Sequence, residues 1–350
     1  MGFITFLIVL SILVFIHELG HFTVARLLGV KVYVFSIGFG KKLISKQWKG
    51  TEWSFSLIPL GGYVKMKGQE DLNPAIANND NDSYNAKTPF ERILILLAGP
   101  LANFLLAFLI YIFIGLLGNN HLSPIIGKVI NDSPAFKSGL KANDIILKIN
   151  DTTIKTWDDL SHSIKDSNTA LKFYVNRDET IRTFIIRPEL SDSQNIFKEK
   201  IKKRMIGIVP APKVITIFYS PFESVSFAYD KTIESSKMIF LGVQKLIQGI
   251  IPSSEIGGVI SIGTVISDAS QSSFVALLTI TALISVNLGV LNLLPIPALD
   301  GGHIMFNLYE IITKRKPSDK ALLVLTLSGW AILLGLMSLG IYNDILRLIA

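Results

Sequence analysis

Residues 14–24 read VFIHELGHFTV. His17 and His21 are four apart, so on a helix they share one face, and both imidazoles can reach one metal ion. Glu18, beside the first histidine, can hold and deprotonate a water activated at such an ion. This is the H-E-x-x-H arrangement of a hydrolytic zinc site. Its setting adds weight. The motif interrupts an apolar run that begins at Phe3, and a charged side chain at bilayer depth costs at least ~2.5 kcal/mol. A hydrogen-bonded packing cluster is the plainer alternative, but ionisable groups inside membrane spans are functional by default.

A catalytic zinc takes three protein ligands and leaves a fourth position open. The chain has no cysteine, which excludes disulfides, thiolate ligands and a cysteine nucleophile. The third ligand is therefore a carboxylate or a further histidine at membrane level. Asp300 is the carboxylate in SVNLGVLNLLPIPALDGGHIMF, just beyond a helix broken by Pro295 and Pro297. Read alone, it is equally a plain helix-end residue. Depth allows the two stretches to meet: at 1.5 Å per residue, Ile16 lies roughly 20 Å along the first span, in a hydrocarbon core of about 30 Å. His303 follows within the same stretch, as a neighbour of the site or a packing residue. His121 reads as a loop residue and His162 as one on a short helix.

These residues must be positioned by membrane helices. Of the 350 residues, 49% are hydrophobic, and mean hydropathy is +0.47. Four apolar blocks, near 3–27, 93–117, 274–294 and 321–341, each approach the ~20 residues that span a bilayer. The first lacks a basic leading region and an A-x-A site, so it reads as a retained helix and not a signal peptide. The net charge of +7 is then read loop by loop rather than as a nucleic-acid signal. Eight lysines lie between Arg26 and Arg92, and Lys314, Arg315, Lys316 and Lys320 lie between the last two spans. The positive-inside rule puts both loops in the cytoplasm, with both chain ends and the long segment from 118 outside. Residues 29–92 alternate apolar and polar side chains around Gly61-Gly62, as strands do; 69–87 reads as a polar mobile loop. Residues 118–190 form a small α/β module, 191–273 a charged connector with an amphipathic helix at 222–251, and 304–320 a cytoplasmic loop.

Taken together and in order, HELGH, FSIGFGKKL, GTEWSFSLIPLGGYVKM, one DSPAFKSGLKANDIILKIND module and NLGVLNLLPIPALDGGH resemble the site-2 protease family, in particular the bacterial regulator-of-sigma-E (RseP) type. The resemblance implies a polytopic α-helical membrane protein with four transmembrane helices, a β-structure that re-enters the membrane, and one extracytoplasmic PDZ-like α/β domain. It implies zinc held by His17, His21 and Asp300, with Glu18 as general base. It also implies a sheet edge at Gly61, Gly62 and Tyr63 that pairs with unwound substrate, Asn287 and Asn292 bonded to substrate backbone, and a peptide groove at Ser138, Gly139 and Leu140. The substrates it implies are single-span membrane proteins, namely anti-sigma factors or signal-peptide remnants, met among the lipids of the bacterial cytoplasmic (inner) membrane. The module departs from the usual pattern where Asn143 and Asp151 stand in place of glycine; both tolerate turns. A single module cannot reproduce a size filter built from a tandem pair.

Two other readings use the same residues. A metal transporter should show repeated halves and ligands along a path, and neither is visible. A non-catalytic membrane scaffold binding peptides through the PDZ-like module leaves Glu18 without a purpose.

Overall fold

A computed structural model describes residues 2–69 and 80–349. These divide into two compact units, Gly115–Pro221 and the rest. Part of the polar stretch expected at 69–87 lies outside the described residues. Its end is tied down: Tyr84 N–H donates to Lys67 O at 2.7 Å, and the Lys67 hydrogen bond holds the Asp82 carboxyl below its usual range.

In the larger unit, α1 (Gly2–Leu27), α2 (Pro89–Leu117), α7 (Phe274–Asn292) and α9 (Asp319–Ile349) are the described helices long and apolar enough to cross a membrane. They match the four apolar blocks. α2 starts before its apolar block because Thr88 and Glu91 cap it reciprocally: Thr88 N–H donates to Glu91 Oε2, and Glu91 N–H to Thr88 Oγ1. α5 (Pro221–Ile247) fills the expected amphipathic stretch.

Two helices fall where the sequence suggested loop. α6 (Val259–Ser272) lies in the expected connector. Its small polar residues disguise it, and its cap comes from a distant residue: Asp344 of α9 accepts from the N–H groups of Gly258, Ile260 and Ser261. The third span ends at Asn292, close to the end of its apolar block. Pro295 and Pro297 cannot continue a helix, and α8 (Asp300–Thr313) then restarts it and occupies most of the expected loop at 304–320.

Between α1 and α2 lie β1 (Val32–Trp48) and β2 (Thr51–Met66). Each strand bends and is used twice. Phe35 faces Trp53 on one side and Val64 on the other, and the outer part of β1 folds back so that Lys46 also faces Trp53. Gly38 and Gly40, at φ +90° and +84°, make the bend in β1. An aromatic row locks the sheet to α1: Phe22 is 5.7 Å from Phe35, and Phe35 stacks at 4.5 Å on Trp53. The outer side of Gly62–Met66 has no strand partner among the described residues.

The smaller unit contains β3 (Asn119–Leu122), β4 (Ile126–Val129), α3 (Pro134–Lys137), β5 (Ile145–Ile149), β6 (Thr152–Thr153), α4 (Trp157–Lys165), β7 (Leu171–Arg177), β8 (Thr180–Ile186), β9 (Glu189–Gln194), β10 (Lys200–Met205), β11 (Ile208–Pro210) and β12 (Val214–Ile217). A sheet of order β6-β5-β7-β8 backs a core containing Ile146, Leu160, Phe173 and Ile206. The domain does not end near 190. β11 returns to pair with β4, and β12 with β3, so the unit closes only at Pro221. The charged connector SDSQNIFKEKIKKRM is largely a β9–β10 hairpin. Its alternation is written in exposed polar residues, which mimic a linker. Asn143 takes φ +70°, the left-handed conformation for which glycine is otherwise used.

Candidate functional site

The apolar face of α1 turns His17, Glu18 and His21 toward α2 and the start of α8. His21 is buried, and its Nδ1–H donates to Ile95 O of α2 at 2.8 Å. That bond fixes the tautomer, leaving a lone pair on Nε2. His21 Nε2 lies 3.2 Å from His17 Nε2. Asp300, the first residue of α8, brings Oδ2 to 3.4 Å from His17 Nε2 and 3.5 Å from His21 Nε2. The break at Pro295–Leu299 is what allows this, because α8 starts with its first carboxylate pointing back at α1.

These three donors fit a metal ion. Asp300 Oδ2 is buried and accepts no hydrogen bond, which is costly unless a cation takes its charge. The three atoms form a nearly equilateral triangle, and a point roughly 2 Å from each lies close to their plane, the distance at which zinc holds imidazole nitrogen and carboxylate oxygen. Two imidazoles and one carboxylate are a catalytic donor set that leaves a position open. Among the described residues this is the group of His, Asp and Glu side chains placed to hold a metal.

The triangle forms one wall of a cavity of about 240 Å³, with Glu18 and the Gly62–Tyr63–Val64 segment of β2 facing it. Gly62 is required there: a β-carbon would stand 2.8 Å from Val14 Cγ1 and 3.2 Å from Glu18 Cγ. Asn292 and His303 also line the cavity; Gly61 and Asn287 do not. Gly61 packs beside Phe39, and Asn287 is half-buried on α7. Asn292 Nδ2–H donates to Leu288 O at 3.0 Å. Thr326 and Trp330 of α9 close the cavity; nothing in their spacing marked them.

Gly99 and Asn103 of α2 touch the site directly. A β-carbon at Gly99 would meet the His21 ring, and Asn103 reaches His17 Nδ1 at 3.1 Å. Their i, i+4 spacing matches that of His17 and His21, a signal visible only once α1 and α2 are known to pack.

In the smaller unit, a cavity of about 490 Å³ lies between α4 (Trp157, Leu160, Ile164) and the Lys203–Ile208 segment. Ser138, Gly139 and Leu140 do not line it. Ser138 caps α3, Gly139 turns with φ +83°, and Leu140 is buried in the core. His121 lies 3.8 Å from Asp158, and His162 bonds Asp158 O.

An H-E-x-x-H helix meeting a distant carboxylate over a cavity, among helices of membrane length, defines a metal-dependent peptidase of the membrane. Comparison of the sequence agrees: the profile of peptidase family M50 matches residues 5–336, and the chain belongs to that family. It is similar to a Campylobacter jejuni protein that is a zinc metalloprotease by name, at 47% identity over 99% of this chain and 94% of that one. A Helicobacter pylori protein of like name is 39% identical over 99% and 100%. Metalloprotease MmpA of Caulobacter vibrioides is 32% identical over 98% and 95%.

Proposed function

We propose that this chain is an intramembrane zinc endopeptidase of the RseP type, cutting the membrane segments of single-span proteins. The observation that carries the reading is the His17–His21–Asp300 triangle set among helices of membrane length with Glu18 beside it. His17, His21 and Asp300 would hold the ion. When bound, zinc supplies a Lewis acid that polarises the scissile carbonyl and acidifies the attacking water. Glu18 takes the proton of that water and passes it to the leaving amine.

A helical substrate satisfies its peptide groups internally and exposes no carbonyl to attack. The unpartnered side of Gly62–Met66 offers a remedy. An extended segment added there keeps its backbone bonded while its scissile bond faces Glu18. Asn292, at the cavity wall, has its amide oxygen available for a substrate N–H. The basic segments support a topology with this sheet and the α8–α9 connection on the cytoplasmic side of the bacterial inner membrane, and the Gly115–Pro221 unit and both termini outside. That unit is PDZ-like, and its α4-flanked cavity is where it meets a peptide. Anti-sigma factors already trimmed outside, or signal-peptide remnants, have the single-span form this arrangement accepts.

The test pairs wild type with Glu18→Gln in liposomes, measuring bound zinc and cleavage of a model single-span peptide. The variant keeps zinc and loses cleavage. Zinc in both proteins with no cleavage of several peptides by wild type favours a transporter or scaffold instead.

A further inference from the structure

His21 and His17 are oriented by different means. His21 donates its Nδ1 proton to a backbone carbonyl, Ile95 O. At His17 the corresponding neighbour is a side-chain amide. Asn103 Nδ2 lies 3.1 Å from His17 Nδ1, Asn103 is wholly buried, and its Oδ1 has no hydrogen-bond partner. With the amide nitrogen donating to Nδ1, His17 must carry its own proton on Nε2, the atom that faces Asp300 and His21. That tautomer cannot bind a metal through Nε2, and it leaves a buried carbonyl oxygen unsatisfied.

A half-turn of the amide restores the ligand tautomer. Oδ1 then accepts from His17 Nδ1–H, and Nε2 presents its lone pair. The two orientations occupy the same space, since amide oxygen and nitrogen are nearly the same size. The backbone does not need to move, because Ser285 Oγ–H donates to Asn103 O at 2.8 Å and holds this turn of α2 against α7. We infer that Asn103 is the positioning residue for His17: its Oδ1 accepts the Nδ1 proton in the zinc-loaded enzyme and so sets the tautomer that frees Nε2 for the ion. The inference rests on His17 being a zinc ligand. A His17→Ala variant that binds zinc like wild type would remove that reading itself, independently of Asn103.

The experiment compares wild type, Asn103→Leu and Asn103→Asp in detergent. It uses zinc competition against a chelator together with ¹⁵N spectra of the histidine rings. Asn103→Leu, which has no acceptor, weakens zinc binding by ~10- to 100-fold, the usual cost of losing an outer partner of a ligand histidine. Asn103→Asp keeps an acceptor and holds zinc within about threefold of wild type, as carboxylate–histidine–zinc pairs do. In zinc-loaded wild type, His17 shows a proton on Nδ1 and the metal shift on Nε2. Zinc binding by Asn103→Leu equal to wild type overturns the inference. So does a bare Nδ1 on His17 in the loaded wild type, a result that stands even where a variant fails to fold.

Discussion

Gly99 lies under the imidazole of His21, so close that a β-carbon there would stand 2.2 Å from Nε2. α2 can therefore approach α1 only where it lacks a side chain, and the His21 ring is packed against bare helix backbone. Gly99→Ala should push the ring off its position or force the helices apart, an overpacking cost of about 1–3 kcal/mol. A ligand displaced by ~1 Å is enough to cost on the order of 100-fold in rate. Peptide cleavage should fall by that factor or more, with weaker zinc binding, while the protein still inserts and folds. Full activity in Gly99→Ala would show that the contact is not limiting.

Asp300 is the one acidic member of the triangle, and its Oδ2 accepts no hydrogen bond that could satisfy it without a cation. Removing it as Asp300→Ala should weaken zinc by more than the ~10- to 100-fold expected from an outer partner. Asp300→Glu moves the carboxylate by one methylene and should restore part of the binding but little cleavage, because the donor oxygen is displaced relative to Glu18. Equilibrium dialysis followed by metal analysis separates these outcomes from a folding defect.

How much of this site could be read from the chain depends on whether the information is local. His17, Glu18 and His21 announce themselves, because three residues at fixed spacing on one helix carry the whole signal. Asp300 could be nominated, because Pro295 and Pro297 break the third span just before it, but its approach to His17 and His21 needed the packing of α8 on α1. Gly99 and Asn103 gain their purpose only from α1 lying against α2. The same division holds for the fold. The four spans are legible by hydropathy, whereas α6 was hidden because its cap, Asp344, comes from more than 80 residues away. The β9–β10 hairpin was hidden because its alternation is polar on both faces.

Arg92 of α2 and Glu310 of α8 are joined by an Nη2–Oε2 contact of 2.8 Å, and both side chains are largely buried. The pair ties the helix carrying Gly99 and Asn103 to the helix that starts with Asp300. Either single change, Arg92→Ala or Glu310→Ala, should lower stability, by up to about 3 kcal/mol where a buried partner is left unpaired. The charge-reversed double variant Arg92→Glu/Glu310→Arg should recover part of the loss, giving a coupling of about 0.5–3 kcal/mol in the cycle. Thermal unfolding in detergent measures it. Strictly additive losses would mean that the two helices are held by packing alone.

In the smaller unit, Arg177 of β7 grips the buried Asp144 with two bonds, Nε to Oδ1 at 2.6 Å and Nη2 to Oδ2 at 2.7 Å, and also donates to Gly139 O at 2.8 Å. Asp144 Oδ2 in turn accepts from Lys141 N–H. One side chain thus fastens the Gly139–Asp144 turn to the central sheet. Arg177→Ala should cost about 3 kcal/mol, since it strands a buried carboxylate. Arg177→Lys should recover little, because an ammonium cannot make the paired fork. Hydrogen exchange on the full-length protein should show faster exchange at residues 139–150 in both variants, with the amides around His17 and Glu18 unchanged. Exchange in Arg177→Lys indistinguishable from wild type would show that charge alone, and not the two-bond geometry, holds the turn.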